Sequence, residues 1–546
     1  MERLTQINKD RLLLLFLTSL IFFAILYFYV PLLKVYYCSD DMQFIWLSAT
    51  KTAVQLLFSP VHYRALSGAN FTPLLGLSFK LDWTLFRMEP FGYNLHNLTA
   101  VLLAAGALFL LLREYSGRLS ALAGSLLFVM SPVTVSVFEW SSTRHYTEGL
   151  FFALLSVFFF LRSQRSGRIS FASPALYLVA ALFKEVYVVL PLVVLLLSRG
   201  NVLLRLRSSF HLWIALLIYM GWRFWMLEGM GGYPFGDSLG FRTALNGIYR
   251  IFTMMPLHLF GPLFFLFYVL PLVMFFMMNN KKNLFNILFL GFTFLIPILP
   301  VSGLFDLQYS SARYVFPLSI YLIGISVIWG SKTVHRSELG RVTVPVMFLF
   351  VIMAFWMRNT ELVKALEKER EISKKTAAEF VLSGKEYVVA EQPSWFYLGL
   401  RDISEYYFHR RVTTKLVPSS DMLRYLSEER KKDLFYYGFA SPDNMKESFQ
   451  KNAINGSLRI EGYKMYWEFG PYEAGKYYVL RGYDEGLYYD SGPAFKRKGM
   501  YLFGKHYPND RPLLIYLRIL YKSPEGWEGI TDEYKIEVPG HKVIAF

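Results

Sequence analysis

The sequence contains a single cysteine, Cys38, so no disulfide bond can form within the chain and cysteine usage identifies no redox compartment. Charged residues are also scarce: they make up 18% of the chain, whereas a soluble domain carries about a quarter. No pair of histidines or cysteines has a zinc-ligand spacing such as His-x-x-x-His or Cys-x-x-Cys. These absences argue against a disulfide scaffold, a zinc module and an ordinary soluble enzyme.

Apolar residues are abundant instead. They make up 54% of the chain, and the mean hydropathy is +0.33. The net charge of +16 comes largely from Lys and Arg in short segments between apolar runs, with the remainder in the C-terminal third. Basic loops between apolar runs are the positive-inside pattern of membrane proteins, so the charge predicts no nucleic-acid partner. The composition predicts an integral membrane protein.

Apolar segments long enough to cross a bilayer recur through residues 1–357, which we expect to form the transmembrane domain. The basic N-terminus is expected in the cytoplasm, and residues 1–33 are expected to be an anchor, not a cleaved signal. We expect roughly eleven spans, counting 171–198 as two. They cover residues 12–33, 95–112, 119–138, 147–161, 171–198, 210–227, 261–278, 284–301, 314–330 and 342–357.

Residues 171–198 are apolar except for Lys184-Glu185 near the middle, and basic residues flank the segment on both sides. Both ends therefore favour the cytoplasm, which a single span cannot satisfy. Two short helices that turn at Lys184-Glu185 can satisfy it, with the polar pair facing a cavity. We expect this hairpin; the alternative is one span.

Two regions are expected outside the membrane. Residues 34–94 form a first outer loop with interfacial helices near 44–58 and 74–86. Residues 358–546 are expected to be a soluble, extracytoplasmic α/β domain: charges at helical spacing over 359–381 predict a solvated helix, and no 34-residue helical repeat follows it. Short aromatic and β-branched runs predict strands. These runs lie at 387–390, 476–480, 514–517 and 534–538.

Asp40 and Asp41 stand where the first span should leave the membrane. A buried acidic pair costs several kcal/mol unless it is solvated, paired or bound to metal, so the pair suggests a site at the membrane surface. The alternative, purely structural interpretation is that acidic residues mark the end of the helix. Position alone gives both interpretations about equal weight.

The expected topology brings further polar residues to the same outer face. Carboxylates suit a proton acceptor or a metal, and Arg and Lys suit a phosphate. Together they fit transfer from a phosphate-linked donor, with a carboxylate activating an acceptor hydroxyl. The candidate donor-phosphate or substrate-binding residues are Arg64, His96, Glu139, Arg144, His145, Lys184, Glu185 and Arg313.

Each of these residues also has an alternative interpretation in which its role is structural and not functional. Lys184 and Glu185 are a candidate structural ion pair, although intramembrane ionisable residues are functional by default. The histidines are singly placed, and a lone histidine is more often a hydrogen-bonding residue than a metal ligand. Arg313 is a candidate helix-end anchor. A divalent cation stays open as a cofactor, with Asp40 or Asp41 as its ligand.

An ordered set of motifs over residues 10–330 resembles a known family. An acidic pair after the first span is typical of polytopic GT-C glycosyltransferases, and the full set resembles their protein O-mannosyltransferase-like branch, especially the transmembrane O-mannosyltransferases that carry TPR repeats. The motifs are Phe71-Thr72-Pro73-Leu74, Gly92-Tyr93-Asn94-Leu95-His96-Asn97-Leu98, Ser131-Pro132, Glu139-Trp140-Ser141-Ser142-Thr143-Arg144, Lys184-Glu185 with Pro191, and Arg313-Tyr314.

The resemblance implies that Asp40 or Asp41 is the catalytic base or a metal-coordinating carboxylate, and that Arg144 and Lys184 lie near the donor phosphate. It also implies a lumenal or periplasmic-type active site with the C-terminal domain on the same side. This sequence departs from the family in two ways: it has no TPR repeats, and Thr72 stands before the first-loop proline where the family has Arg. Acceptor identity therefore does not carry over.

The leading hypothesis is an inverting hexosyltransferase that moves a sugar from a polyprenyl-phosphate donor to a hydroxyl of a protein, lipid or glycan. We slightly favour Asp41 as the base because it is further from the span. The rival hypothesis is a transporter or flippase for a lipid-linked sugar. Such transporters have inverted halves with matching broken helices, and only one interrupted segment is apparent in the sequence. A scaffold whose outer domain binds a partner is the third hypothesis.

Overall fold

The computed structural model of the chain divides into two compact units. The first consists of Met1–Val35, Phe71–Trp225 and Leu239–Glu369, and the second of Tyr36–Asn70, Met226–Ser238 and Arg370–Phe546. The domain boundary expected between residues 357 and 358 stays a prediction. The structure describes residues 2–37, 41–60, 63, 70–167, 170–198, 201–227, 229, 241–269, 290–297, 309–385, 387–390, 415–417, 434–437, 454–462, 464–470, 475–484, 487–490, 497–502, 513–525 and 528–545.

Helices make up most of the first unit, as the apolar composition predicts. The main α-helices of the chain are α1 (Glu2–Ala24), α2 (Asp41–Thr50), α3 (Ala53–Phe58), α4 (Pro73–Phe86), α5 (Pro90–Leu112), α6 (Arg118–Met130), α7 (Pro132–Phe138), α8 (His145–Ser166), α9 (Ala172–Phe183), α10 (Leu190–Leu197), α11 (Val202–Leu227), α12 (Phe241–Phe260), α13 (Phe316–Arg336) and α14 (Glu338–Ser383). The helices expected near 44–58 and 74–86 are present as α2, α3 and α4. Their position at the membrane interface stays a prediction.

Six helical segments among the described residues are long and apolar enough to cross a membrane, and α6 with α7 makes a seventh if that bent pair is one span. The prediction of a polytopic helical membrane protein is therefore confirmed. Most of the spans expected at 261–278 and 284–301 lie outside the described residues, so the total of eleven stays a prediction. The six segments are Asp10–Lys34, Pro90–Leu112, Ser141–Ser166, Val202–Leu227, Ala312–Arg336 and Glu338–Glu371.

The expected span at 119–138 is bent by 53° between α6 and α7. Pro132 has no N–H and begins α7, so the last carbonyls of α6 lose their helical donors. Side chains replace those donors: the Tyr29 hydroxyl donates to Val129 O at 2.7 Å, and Asn359 Nδ2 donates to Met130 O at 2.7 Å. The break is stable in an apolar environment because its backbone groups are satisfied by protein.

The segment 171–198 is interrupted as expected and forms two short apolar helices, α9 and α10. That they form a hairpin stays a prediction. Lys184 ends α9 in an extended conformation, and a 3-10 turn, Glu185–Val189, leads into α10. The turn packs closely on α8, where the Tyr187 hydroxyl donates to Tyr146 O and a Cβ at Gly149 would come within 2.5 Å of the Tyr187 ring. A glycine at position 149 is therefore required for this contact.

Helix α14 is continuous for 46 residues, although the sequence suggested a span at 342–357 followed by a separate solvated helix. Its only internal proline is Pro345, near the start. Nothing after that proline breaks the helical backbone, so the apolar and the charged stretches form one element. At 1.5 Å per residue it is roughly 70 Å long.

The C-terminal part of the second unit is rich in β-structure. Strand β1 (Tyr387–Ala390) lies between β2 (Lys415–Val417) and β3 (Leu434–Tyr437) in a parallel sheet. The remaining strands form two antiparallel sheets, with strand orders β12-β4-β5-β8 and β10-β9-β6-β7, and β11 also pairs with β9. These strands are β4 (Asn455–Gly462), β5 (Lys464–Gly470), β6 (Lys476–Asp484), β7 (Leu487–Asp490), β8 (Lys498–Leu502), β9 (Leu513–Lys522), β10 (Glu528–Ile530), β11 (Tyr534–Val538) and β12 (Gly540–Ala545).

A shared hydrophobic core joins the two antiparallel sheets. Burial alternates along β4 and β5, so one face of their sheet is apolar and buried. Trp467 and Phe469 from this face pack with Tyr477 of β6 and Leu517 of β9. The strands expected at 387–390 and 534–538 are present with those bounds, and those at 476–480 and 514–517 are present but longer.

The side chains that satisfy the broken span generate a stability prediction. Tyr29→Phe removes only the hydroxyl that bonds Val129 O, and should lower the free energy of unfolding by about 1 kcal/mol. The matched control is Tyr27→Phe on the same segment, because Tyr27 is 42% exposed and stacks on Trp356 through its ring. Thermal unfolding in detergent measures both variants, and equal shifts would contradict the assigned role of Tyr29.

Candidate functional site

The acidic pair that follows the first apolar segment is only partly described. Asp41 lies in the first turn of α2 and is 2% exposed. A carboxylate in that position interacts favourably with the helix dipole. Asp40 and Arg64 lie outside the described residues. Asp41 begins α2 and is buried, so it does not mark the end of the first span in water. The catalytic roles of Asp40 and Asp41 stay predictions.

Arg144 belongs to a buried charge network, which we define as Ser78, Asp82, His96, Arg144 and Glu148. Arg144 is 0% exposed, its Nη1 donates to Asp82 Oδ2, and its guanidinium stacks on Phe79 at 4.3 Å from the ring centroid. An isolated charge in such a setting would cost many kcal/mol, so the partner is essential. Helices α4, α5 and α8 each contribute members, and the network thus ties three helices together.

His96 connects the two carboxylates of the network. Its Nδ1 lies 2.7 Å from Asp82 Oδ1 and its Nε2 lies 3.3 Å from Glu148 Oε1. Ser78 Oγ also donates to Glu148 Oε1, at 2.6 Å. Each ring nitrogen of His96 therefore lies close to one carboxylate of the network. Arg144 and His96, two of the predicted site residues, are thus brought together by Asp82 and Glu148.

A second group of side chains forms what we call the cation–aromatic cluster: Trp140, His145, Tyr146, Lys184 and Arg313. The Lys184 ammonium lies 5.1 Å from the centroid of the Tyr146 ring, and the His145 and Tyr146 ring centroids are 4.8 Å apart. The Arg313 guanidinium lies 4.5 Å from the centroid of the Trp140 ring. Two cations on aromatic faces are each stabilised by the ring quadrupole.

Lys184 differs from Arg144 in that its charge has no carboxylate partner among the described residues. The residue is only 9% exposed, and within the part of the chain that the structure describes its ammonium has no hydrogen bond or ion pair. Contact with an aromatic face offsets only part of the cost of removing an ammonium group from water. An anion beside Lys184 would supply the remainder.

Glu185 turns away from its neighbour Lys184 and forms a different pair. Its Oε2 accepts from Arg223 Nη1 at 2.9 Å and from the backbone N–H of Phe71 at 3.1 Å. Tyr219, one helical turn before Arg223, donates to Phe71 O at 3.3 Å. Glu185 thus joins the 3-10 turn between α9 and α10 to α11 and to the segment that precedes α4. The structural ion pair considered for Lys184-Glu185 is not formed, because Glu185 pairs with Arg223.

Glu139 lies next to the cation–aromatic cluster in the chain, and His145 links the cluster to the buried charge network. Glu139 follows α7 directly and is 7% exposed, next to Trp140 in the chain. His145 is 8% exposed and begins α8 directly after Arg144, so one short segment supplies both the buried charge network and the cluster. Among the described residues, no three or more His, Cys, Asp or Glu side chains are arranged to hold a metal ion.

Sequence reasoning did not select three residues that prove to be partners of selected ones: Asp82, Glu148 and Arg223. Each is an ionisable residue within an apolar segment, which is itself a signal of a paired or functional group. Glu148 also stands four residues after Arg144, the spacing that places two side chains on one helix face. These two signals could have found all three.

Comparison with known proteins gives a fold likeness. No family model matches the chain, and no curated protein sequence matches it significantly. The chain is similar to the solved structure of ArnT from Cupriavidus metallidurans in the apo state, with 13% identity, a TM-score of 0.45, and coverage of 77% of this chain and 89% of that one. ArnT from the same organism bound to undecaprenyl phosphate gives 12% identity with the same TM-score and coverage. One fold carries many activities, so this likeness assigns none.

The buried charge network generates a second stability prediction. Asp82→Asn leaves Arg144 without its charged partner and should lower the free energy of unfolding by about 3–5 kcal/mol. Glu361→Gln is the control, because Glu361 is 55% exposed and an exposed pair contributes about 0–1 kcal/mol.

Removing the charges of both Asp82 and Arg144 shows whether the loss of stability comes from an unpaired charge or from the change in side-chain volume. The double variant Asp82→Asn with Arg144→Met should recover part of the stability lost in Asp82→Asn alone, because no unpaired charge stays buried. Chemical unfolding in detergent measures all variants. Additive losses in the double variant would contradict an ion pair between the two residues.

Proposed function

We propose that this protein is a membrane glycosyltransferase that moves a sugar from a polyprenyl-phosphate donor to a hydroxyl acceptor on the extracytoplasmic face. The acceptor is a protein, lipid or glycan, the donor sugar is a hexose, and the reaction inverts the anomeric centre. The N-terminus lies in the cytoplasm in this proposal, and residues 358–546 lie outside.

One observation carries the proposal: the Lys184 residue is 9% exposed and its ammonium has no hydrogen bond or ion pair among the described residues, while Arg144 has a carboxylate partner. A buried cation is stable when an anion is bound beside it. Lys184 lies at the break between two short apolar helices, so the anion in this proposal belongs to a lipid-linked molecule. A phosphate esterified to a polyprenol meets both requirements.

The other members of the cation–aromatic cluster support the same ligand. Arg313 adds a second cation, and a guanidinium can bind two phosphate oxygens at once. The aromatic rings of Trp140 and Tyr146 offer apolar surface next to these charges, as an amphipathic lipid headgroup and a sugar require. The ordered sequence motifs that resemble GT-C enzymes include Glu139-Trp140, Lys184 and Arg313.

The reaction follows from these roles. The bond between the anomeric carbon and the phosphate oxygen breaks, and the acceptor oxygen bonds to that carbon from the opposite side. Lys184 and Arg313 stabilise the negative charge that grows on the leaving phosphate. Asp40 or Asp41 takes the proton of the acceptor hydroxyl and later returns it to solvent.

The acidic pair supplies the first test of the enzyme. Asp40→Asn or Asp41→Asn should abolish sugar transfer while the protein still inserts and folds, because an amide cannot accept the proton. The assay incubates purified protein with undecaprenyl-phosphate mannose, glucose or galactose and detects released undecaprenyl phosphate by mass spectrometry. Undiminished release in both variants and in the double variant would overturn the catalytic role.

The same assay separates an enzyme from a flippase. A flippase moves the lipid-linked sugar across the bilayer and leaves the bond between sugar and phosphate intact. Sugar-dependent release of undecaprenyl phosphate by the wild-type protein, in the presence of an acceptor, therefore supports the enzyme. Movement of the intact lipid across proteoliposomes without any release would support the flippase instead.

Lys184 provides the test of the phosphate site. Lys184→Met should lower kcat/KM about 10- to 100-fold through loss of a charged hydrogen bond to the phosphate, and Lys184→Arg should retain part of the activity. Lys332→Met is the matched control, since Lys332 is an exposed lysine on α13. Unchanged kcat/KM in Lys184→Met would contradict the phosphate contact.

A further inference from the structure

His145 presents one ring nitrogen that the fold does not use. Its Nδ1 lies 2.6 Å from the backbone oxygen of Ser142. A carbonyl oxygen only accepts, so Nδ1 carries the proton and donates it. In that tautomer Nε2 has a free lone pair and is a hydrogen-bond acceptor. Within the described residues nothing donates to Nε2, although the side chain is 8% exposed.

The electrostatic surroundings favour the neutral imidazole over the imidazolium. Three cations, Lys184, Arg313 and Arg144, act on the imidazole of His145. A second proton on Nε2 would place another positive charge beside them, which Coulomb repulsion opposes. The bond to Ser142 O fixes the orientation of the ring, and Nε2 is a hydrogen-bond acceptor in a region that contains several cations. Such an acceptor pairs with a neutral donor, and a substrate hydroxyl is such a donor.

The position of His145 relative to Lys184 narrows the choice of hydroxyl. Both side chains lie against the ring of Tyr146, with the imidazole centroid at 4.8 Å and the ammonium at 5.1 Å from its centroid. A group that contacts both carries an anion and a hydroxyl close together. In a hexosyl phosphate, the hydroxyl on the carbon next to the anomeric centre is the one nearest the phosphate.

The acceptor hydroxyl fits this position less well. In an inverting transfer the acceptor approaches the anomeric carbon from the side opposite the phosphate. Lys184 acts electrostatically on His145, so His145 lies near the phosphate-binding lysine and the leaving group. His145 is therefore placed to contact the donor sugar. The proton of the acceptor hydroxyl is taken by Asp40 or Asp41.

We infer that His145 is a specificity-determining residue: its Nε2 accepts a hydrogen bond from the donor-sugar hydroxyl next to the anomeric carbon. This inference rests on the proposed function. It assigns a contact to the sugar, whereas the proposed phosphate site concerns only the lipid phosphate. The residue should discriminate donors that carry this hydroxyl from donors that lack it.

Two substitutions separate the two ring nitrogens. His145→Asn places an amide donor where Nδ1 stands, so the bond to Ser142 O is kept while the acceptor at Nε2 is lost. His145→Gln reaches further and restores an acceptor oxygen near the Nε2 position. His211→Asn is the matched control: His211 stacks on Phe160, fifteen residues along α8 from His145, which is roughly 22 Å.

The measurement is the ratio of kcat/KM for undecaprenyl-phosphate hexose to kcat/KM for its 2-deoxy form, using the hexose that the wild type transfers best. Comparing this ratio between proteins cancels the higher intrinsic reactivity of 2-deoxy sugars. We expect the ratio to fall about 10-fold in His145→Asn, the effect of one hydrogen bond. It should recover in part in His145→Gln and stay at the wild-type value in His211→Asn.

The outcomes distinguish this inference from the proposed function. If the wild type releases undecaprenyl phosphate from no donor, the proposed function fails. If the wild type transfers sugar and His145→Asn keeps the wild-type ratio, only the inference about His145 is overturned. A loss of kcat/KM equal for both donors in His145→Asn also overturns it, because a merely structural role affects both alike.

A binding measurement keeps the inference testable if His145→Asn does not fold. The wild-type protein should bind undecaprenyl-phosphate hexose about 10-fold more tightly than its 2-deoxy form when transfer is prevented by withholding the acceptor. Equal affinities for the two lipids would overturn the contact, whatever the behaviour of the variant.

Discussion

The ion pair between Arg144 and Asp82 is the interaction on which the rest of the first unit depends. Arg144 is fully buried, so its charge is tolerable only because a carboxylate and an aromatic face contact it. Through His96 and Glu148 the pair holds three helices in one arrangement. The segment that carries Arg144 also carries His145 and Tyr146. Pairing at one end of α8 therefore positions the residues of the candidate site.

The same constraint separates structural cations from candidate binding groups. Arg144 and Arg223 both have carboxylate partners within the fold, whereas the ammonium of Lys184 has only the Tyr146 ring among the described residues. An apolar surrounding makes an unpaired charge costly, so the difference marks where a ligand would complete the structure. Backbone groups obey the rule as well, since Tyr29 and Asn359 satisfy the carbonyls freed at the break before Pro132.

Most apolar helices could be predicted because crossing a bilayer requires a long uninterrupted apolar run, and such runs are visible without any alignment. The break of the apolar segment at Lys184 was predictable for a similar reason, since basic residues flank that segment on both sides. The pairings of the charged residues could not be predicted. Asp82 lies 62 residues from Arg144 in the chain, and Glu185 lies 38 from Arg223. No local spacing relates residues so far apart.

The sequence by itself determined that this is a membrane protein with a C-terminal β-rich region, and it supplied the polar residues from which a site could be built. Composition and periodicity suffice for those conclusions because they depend on transfer between water and an apolar phase, residue by residue. Only the tertiary structure decided which of those residues are used up by the fold. Glu185 pairs with Arg223, and Arg144 pairs with Asp82. The ammonium of Lys184 and Nε2 of His145 have no hydrogen-bond partner among the described residues. Such a choice depends on which side chains meet in space, because the energy of a buried charge is set by its neighbours.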